Sequence, residues 1–294
     1  MRAVPWYKSP MQVGIGLPTT IAGVTRAQVL EWARRADQRG FSSLGTIDRI
    51  VYGNHEPLIA LAAAAAVTER IRLATTILIA PVRANGALLA KQAASIDHLS
   101  GGRMVLGVAV GGREDDYAAS GVDFRTRGRE FERMLEQWQR IWSGDSFGYA
   151  GAIGPQGRPT LIIGGASDAA YTRAARYADG WINGGGAPEQ FGERAEKLRA
   201  AWQAAGRTGE PITQSLAYFA LGEGARAAAD AYLNDYYAWL GPDVSGAIAG
   251  SAATDAETVR GYVDAFTAAG CGELIMVPCH ADPAQVDLLA DALS

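Results

Sequence analysis

Few side chains in this sequence are suited to catalysis or ligand binding, and they gather at a handful of points. Ile163-Gly164-Gly165-Ala166-Ser167 reads as a strand end, a glycine pair and a helix start. Unpaired N–H groups at a helix start, with the Ser167 hydroxyl beside them, form a ready seat for a phosphate. The same residues equally make a tight turn with an N-capping serine. Asp48-Arg49 directly follows the apolar run Phe41–Ile47. An acid there can accept a bond from a ring N–H of a ligand, and the arginine can stabilise a developing anion; the alternative is an ion pair that ties the rim together. Gly111-Gly112 ends another apolar run and lets backbone approach a ligand closely. Behind it comes the acidic stretch Arg113-Glu114-Asp115-Asp116-Tyr117, read as a loop.

The aromatic residues form a second group. Tyr232, Tyr236 and Trp239, at spacings of four and three, share one face of a helix that also carries Tyr237. They are either a wall over a pocket for a planar or apolar substrate, joined by Tyr52 from the loop after Ile47, or plain packing. His280 follows the last strand on the same rim, as a substrate contact or an ordinary rim residue. No Ser-His-Asp order, nucleophile elbow, catalytic carboxylate pair or GxGxxG dinucleotide fingerprint occurs. With so little acid–base machinery of its own, the chain points to a bound cofactor that supplies the chemistry.

These residues need a scaffold, and the stretch from Ile71 to Gly112 shows which one. It runs as an apolar strand to Pro81, a helix with Leu88, Leu89, Gln92, Ile96 and Leu99 at three- and four-residue spacing, and a second apolar strand from Arg103 to Val110. Strands without a polar face belong to parallel sheets covered by helices. The pattern repeats along the chain. Strands are expected at Met11–Leu17, Phe41–Ile47, Ile71–Pro81, Arg103–Val110, Thr160–Ile163, Trp181–Asn183, Ile212–Leu221 and Glu273–Pro278. Arg127–Trp142 is the clearest amphipathic helix, with Phe131, Leu135, Trp138, Ile141 and Trp142 on one face. After the seventh strand come two helical stretches, Ala225–Leu240 and Asp255–Ala269, joined by a small-residue linker. The fold expected is an α/β TIM (β/α)8 barrel with a helical insertion after strand seven. A doubly wound open sheet is the alternative.

Bulk properties narrow the function. A net charge of −4 lacks the basic footprint of nucleic-acid or anionic-membrane binding. No apolar run approaches the roughly 18 residues of a membrane span, and the first ten residues lack the apolar core of a signal peptide, so a cytoplasmic protein is expected. Residues 1–10 read as an N-terminal arm and 11–294 as one barrel domain. Cys271 and Cys279 flank the last strand; eight extended residues span about 26 Å, beyond disulfide reach, so both should be free thiols. Three histidines and two cysteines, none grouped, offer no metal-site spacing.

In order and spacing, a set of short fragments resembles the bacterial luciferase-like superfamily of flavin- and deazaflavin-dependent oxidoreductases. They include Val13-Gly14-Ile15-Gly16-Leu17-Pro18, Gly40-Phe41-Ser42-Ser43-Leu44 with Asp48-Arg49, and Glu69-Arg70-Ile71-Arg72-Leu73. Leu89-Ala90-Lys91-Gln92, Leu99-Ser100-Gly101-Gly102-Arg103, Leu106-Gly107-Val108 and Ile163-Gly164-Gly165 with Tyr177-Ala178-Asp179-Gly180-Trp181 continue the match. The resemblance implies a barrel that binds FMN or the deazaflavin F420 at the C-terminal ends of its strands. It also implies a non-proline cis peptide after strand three, here Thr76–Ile77. By position it puts Asp48, Thr76, Ile77, Val110, Gly111, Gly112 and Asp115 against the cofactor, and Gly164, Gly165, Ser167 and Asp168 at its phosphate.

Two departures shape the expected activity. Several sugar-oxidising deazaflavin members carry a catalytic His where this chain has Arg49, and a Glu where it has Gly112. Arginine cannot serve as a base near neutral pH. The expectation is therefore a monooxygenase that receives reduced FMN from a separate flavin reductase and acts on a small organic substrate, with Asp48 and Arg49 as its catalytic residues. An F420-dependent reductase transferring hydride is the alternative, and a flavin-binding barrel without turnover is a further one. A homodimer is the expected assembly.

Overall fold

The computed structural model describes residues 11–155 and 157–294. The proposed N-terminal arm, residues 1–10, lies outside the described residues. Nine parallel strand segments form one closed sheet: β1 (Gln12–Gly16), β2 (Ser43–Thr46), β3 (Arg72–Thr75), β4 (Leu78–Ile79), β5 (Met104–Ala109), β6 (Thr160–Gly164), β7 (Gly180–Asn183), β8 (Ile212–Phe219) and β9 (Glu273–Pro278). Both β3 and β4 pair with β5, through Leu73 with Met104 and Leu78 with Val108. They are the two halves of the expected third strand, parted at Thr76–Ile77, where the peptide is cis as the resemblance implied. The barrel is eight-fold and the open-sheet alternative is discarded.

Eleven α-helices accompany the strands among the described residues. The first six are α1 (Arg26–Gln38), α2 (Pro57–Ala65), α3 (Gly86–Leu99), α4 (Glu114–Ala119), α5 (Arg127–Trp142) and α6 (Asp168–Tyr177). The rest are α7 (Pro188–Ala204), α8 (Ala225–Tyr236), α9 (Pro242–Gly250), α10 (Ala256–Ala268) and α11 (Ala284–Ala292). Strand residues alternate between two apolar clusters. Along β9, Ile275 and Val277 join Val105, Ile162 and Ile182 inside the barrel. Leu274 and Met276 face the helices, with Trp32, Phe191 and Phe266. The amphipathic helix α5 falls on the expected residues: Phe131, Leu135, Trp138 and Ile141 are buried, and the Trp138 indole N–H donates to the Gly86 carbonyl at 2.8 Å. Each such large side chain contributes roughly 1.5–3 kcal/mol by leaving water.

The N-terminal end of the barrel is closed by polar groups. Glu273, fully buried, accepts from Arg72 Nη2 at 3.1 Å and from Gln214 Nε2 at 2.6 Å. That leaves the C-terminal end as the face open to a ligand.

Two local expectations are corrected. The acidic stretch after Gly112 is not a loop: it forms α4, whose three acids occupy the first turn, where the helix dipole favours them. The small-residue linker after Leu240 contains a helix, α9, which starts on proline and packs against α8. Glycine and alanine hid it, because neither marks an apolar face. Both cysteines are free and buried, as expected, and among the described residues no group of His, Cys, Asp and Glu could hold a metal. No helix among them is long and apolar enough to cross a membrane.

Candidate cofactor site

A cavity of about 550 Å³ opens at the C-terminal ends of β5, β6 and β7. Its apolar end is made by Ile77, Ala109, Val110, Phe131 and Ile163. Its polar end is made by Gly164, Gly165, Ser167, Arg173, Asn183 and Arg194. Six of the residues singled out from the sequence therefore meet here: Ile77, Val110, Gly111, Gly164, Gly165 and Ser167. The glycines are there for a packing reason. A Cβ at Gly164 would lie 2.5 Å from Ile77 Cδ1, and one at Gly111 would lie 2.8 Å from Ile79 Cγ2. Ile77 lies on Gly164 and borders the cavity, while Ile79 lies on Gly111 and supports the lining from behind.

At the polar end, Ser167 caps α6 by accepting from the Ala170 N–H at 3.3 Å. The cap and the open helix start thus coexist, and the two readings of this motif are compatible. Arg173 is held by Glu132 at 3.1 Å. Arg194 has a different setting: Nη1 donates to Asn183 Oδ1 at 2.7 Å and to the Gly185 carbonyl at 3.3 Å, with no carboxylate within 4.0 Å among the described residues. A cation held only by neutral acceptors at a helix start suits an anionic group.

Asp48 does not line this cavity. Its buried carboxylate accepts from Arg83 Nη1 at 2.7 Å, Arg83 Nη2 at 3.3 Å and the Ile79 N–H at 2.9 Å. Burial weakens the charged form of Arg83, but Asp48 and then Glu56 outweigh it and raise its pKa. Arg49 is also placed away from Asp48: it reaches Asp115 at 3.5 Å and the Tyr236 carbonyl at 3.2 Å. Its guanidinium lies over the rings of Tyr52 and Tyr236, at 4.9 and 5.5 Å. Its Nε is buried without a hydrogen-bond partner among the described residues. So Asp48 and Arg49, adjacent in sequence, belong to two separate ion pairs, one with Arg83 and one with Asp115.

The remaining expected residues fall around these two groups. Thr76 is buried behind the floor, its hydroxyl donating to the Thr46 carbonyl at 3.2 Å. Gly112 is exposed beneath Trp239, and Asp115 is exposed beside it. Asp168 is the exposed first residue of α6. Tyr232, Tyr236, Tyr52 and Trp239 do assemble, together with Tyr218 and Tyr237, over the other side of the mouth. His280 is not with them; it borders a smaller cavity of about 190 Å³ with Glu223, Asp282 and Gln285.

In the aromatic group, Tyr218 and Tyr237 share a hydroxyl bond of 2.6 Å, and Tyr232 bonds Thr20 Oγ1 at 2.6 Å. Burial raises the pKa of Tyr218, Tyr232, Tyr236 and Tyr237, so all four stay protonated near neutral pH and none serves as a base.

Arg83, Arg173, Asn183 and Arg194 had not stood out in the sequence, and Arg113 and Asp116 had been read only as part of a loop. Asp116 is fully buried, accepts from the Ile50 and Val51 N–H groups at 2.9 and 2.8 Å, and pairs with Arg113 at 2.9 Å. The only signal for that pair was the three-residue spacing of opposite charges; for Arg83 and Arg194 there was none.

A barrel with a cavity at its glycine-rich strand ends, apolar at one end and anion-seeking at the other, defines a class: a TIM-barrel protein built to hold an elongated ligand with an acidic tail. The family follows from comparison. A sequence model of the luciferase-like monooxygenase family matches residues 11–270, and the chain belongs to that family, whose members are flavin- or F420-dependent oxidoreductases. An uncharacterised protein of Mycobacterium tuberculosis is 32% identical over 208 residues, 60% of this chain and 72% of its own length. Among solved structures, the monooxygenase RslO1 from Streptomyces bottropensis superposes with a TM-score of 0.79 at 22% identity, covering 96% of this chain and 98% of that one. An F420-dependent secondary alcohol dehydrogenase superposes with a TM-score of 0.80 at 17% identity, covering 97% and 98%. At these identities the two superpositions show the fold alone.

Proposed function

We propose that this protein is a monooxygenase that uses reduced FMN, delivered by a separate flavin reductase, to oxygenate a small organic substrate, and that it works as a cytoplasmic homodimer. One observation carries the reading. The cavity offers an apolar end and an anion seat, yet no carboxylate or imidazole lines it among the described residues. Oxidation of an alcohol by hydride transfer needs a base to take the hydroxyl proton, and none borders this cavity.

The chemistry that a bound reduced flavin supplies is two-electron activation of dioxygen, with one oxygen atom going to the substrate and the other to water. The chain does the rest. Ile77, Ala109, Val110 and Ile163 exclude water from the ring end. The start of α6 and Arg194 bind the phosphate, with Arg173 beside them. Tyr236 and Trp239 wall the substrate side, and Arg49 and Arg113 place positive charge behind those rings.

Titration with oxidised FMN, riboflavin and F420, each followed by fluorescence, tests the reading. FMN should bind at least about tenfold more tightly than riboflavin, and Arg194→Ala should erase most of that difference. With a flavin reductase present, oxygen uptake should respond to substrate. Binding of F420 without FMN would replace oxygenation by hydride transfer, and binding of none of the three would end the proposal.

A further inference from the structure

We infer that Asp48 and Arg83 are a positioning pair that sets where the floor segment Ile77–Ile79 lies beneath the bound cofactor, without either side chain touching the ligand. The inference rests on the flavin reading above for its functional half and on geometry alone for its structural half.

The geometry is a grip on a single residue. The Ile79 N–H donates to Asp48 Oδ2 at 2.9 Å, and the Ile79 carbonyl accepts from Arg83 Nη1 at 3.1 Å. Both main-chain polar groups of Ile79 are therefore held by one ion pair, whose own bonds are 2.7 and 3.3 Å. The Asp48 side chain is completely buried and that of Arg83 is 15% exposed. Neither lines the cavity.

What the grip controls is the floor. Ile79 packs on Gly111, and Ile77, two residues earlier, packs on Gly164. Both glycines are cavity residues, one from each side of the proposed ring seat at β5 and β6. Shifting Ile79 shifts Ile77 and so changes the depth of the cavity at its apolar end.

The pair is itself anchored through its neighbours. Arg83 Nη2 donates to Glu56 at 2.9 Å, and Glu56 caps α2. The Asp48 carbonyl accepts from Arg113 Nη2 at 2.9 Å, and Arg113 is fixed by Asp116. The loops after β2, β4 and β5 thus share one network of two buried carboxylates and two arginines. The Asp48 carboxylate is completely buried, is engaged by Arg83 and a backbone N–H, and does not border the cavity, so its effect on the cofactor passes through Ile79.

The test compares the whole chain with R83M, D48N and R83K, using FMN as the probe. R83M and D48N should bind FMN roughly tenfold or more weakly, and the flavin bound at saturation should show an altered visible circular dichroism band. R83K keeps the charge balanced and should recover part of both. Without flavin, hydrogen exchange in R83M should quicken across residues 77–83 and stay unchanged in β8 and β9.

If R83M is too unstable to purify, R83K should show the same changes at smaller size. A folded R83M with the parent's FMN affinity, dichroism and exchange pattern would overturn the inference; reduced stability alone would not support it. Faster exchange in R83M with no FMN binding by the parent would strike down the flavin reading and the functional half, and leave only the grip on Ile79.

Discussion

The two halves of the barrel mouth obey one architectural rule and reach opposite results. Over β5, β6 and β7 the strands end in glycines and leave a cavity bordered by Ile77, with Ile79 behind Gly111. Over β1, β2, β8 and β9 the same rim is filled: Tyr218, Tyr232 and Tyr236 are buried, Tyr237 packs against them, and Arg49 and Arg113 are stacked against the Tyr236 ring. The cause is the segment after each strand. A strand that passes through Gly164-Gly165 into α6 exposes backbone, whereas β8 leads into α8, which returns a row of tyrosines across the mouth. Ligand space in this barrel is set by its loops, while the strands supply only the frame.

The strongest change should come from closing the open half. Gly164→Leu puts a side chain where Ile77 now lies, so FMN binding should become undetectable in a fluorescence titration, with an overpacking cost of about 1–3 kcal/mol by urea unfolding. A variant that still binds FMN would place the ligand elsewhere in the mouth.

The filled half should respond to pH. Burial pushes the Cys279 thiol at this rim, and the Cys271 thiol at the opposite end of the same strand, up to about 12, above the roughly 8.5 expected in an unfolded chain. Below that value both states keep their protons and stability is unaffected. As pH rises further the unfolded chain loses protons first, so stability should fall by up to about 1.4 kcal/mol per pH unit for each group until the folded pKa is reached. The buried tyrosines, also raised, add to the loss above about pH 10. Urea midpoints from pH 7 to 11 measure it; a flat profile would mean that these groups are not buried as described.

A milder change separates the halves more finely. Tyr237→Phe leaves the Tyr218 hydroxyl without its partner and should cost about 1–3 kcal/mol of stability. FMN affinity should stay at the parent value, since Tyr237 does not border the open cavity. A large drop in affinity would join the two halves into one site.

Much of the frame was legible because period and punctuation are local. Arg127–Trp142 and Glu273–Pro278 coincide with the expected helix and strand, since an amphipathic face and a run of apolar β-formers are visible over a few turns or residues. The helix α9 was not legible: its glycines and alanines carry no face, and it is held by packing on α8. In the site, glycines beside strand ends were visible as such. The partner of Asp48 was not, because Arg83 lies 35 residues away and the choice between it and the adjacent Arg49 depends on where β4 turns.

Residue type and short-range spacing were enough to set the alternation of strands and helices, the glycine-rich strand ends and the scarcity of acid–base groups. They could not say which half of the mouth stays open, which carboxylate grips Ile79, or that Arg194 shares the cavity with the start of α6 and has no carboxylate partner among the described residues. Those outcomes belong to the closed barrel. Closure brings loops from distant parts of the chain to one rim, and there each buried charge must find a partner among groups that no local pattern brings together.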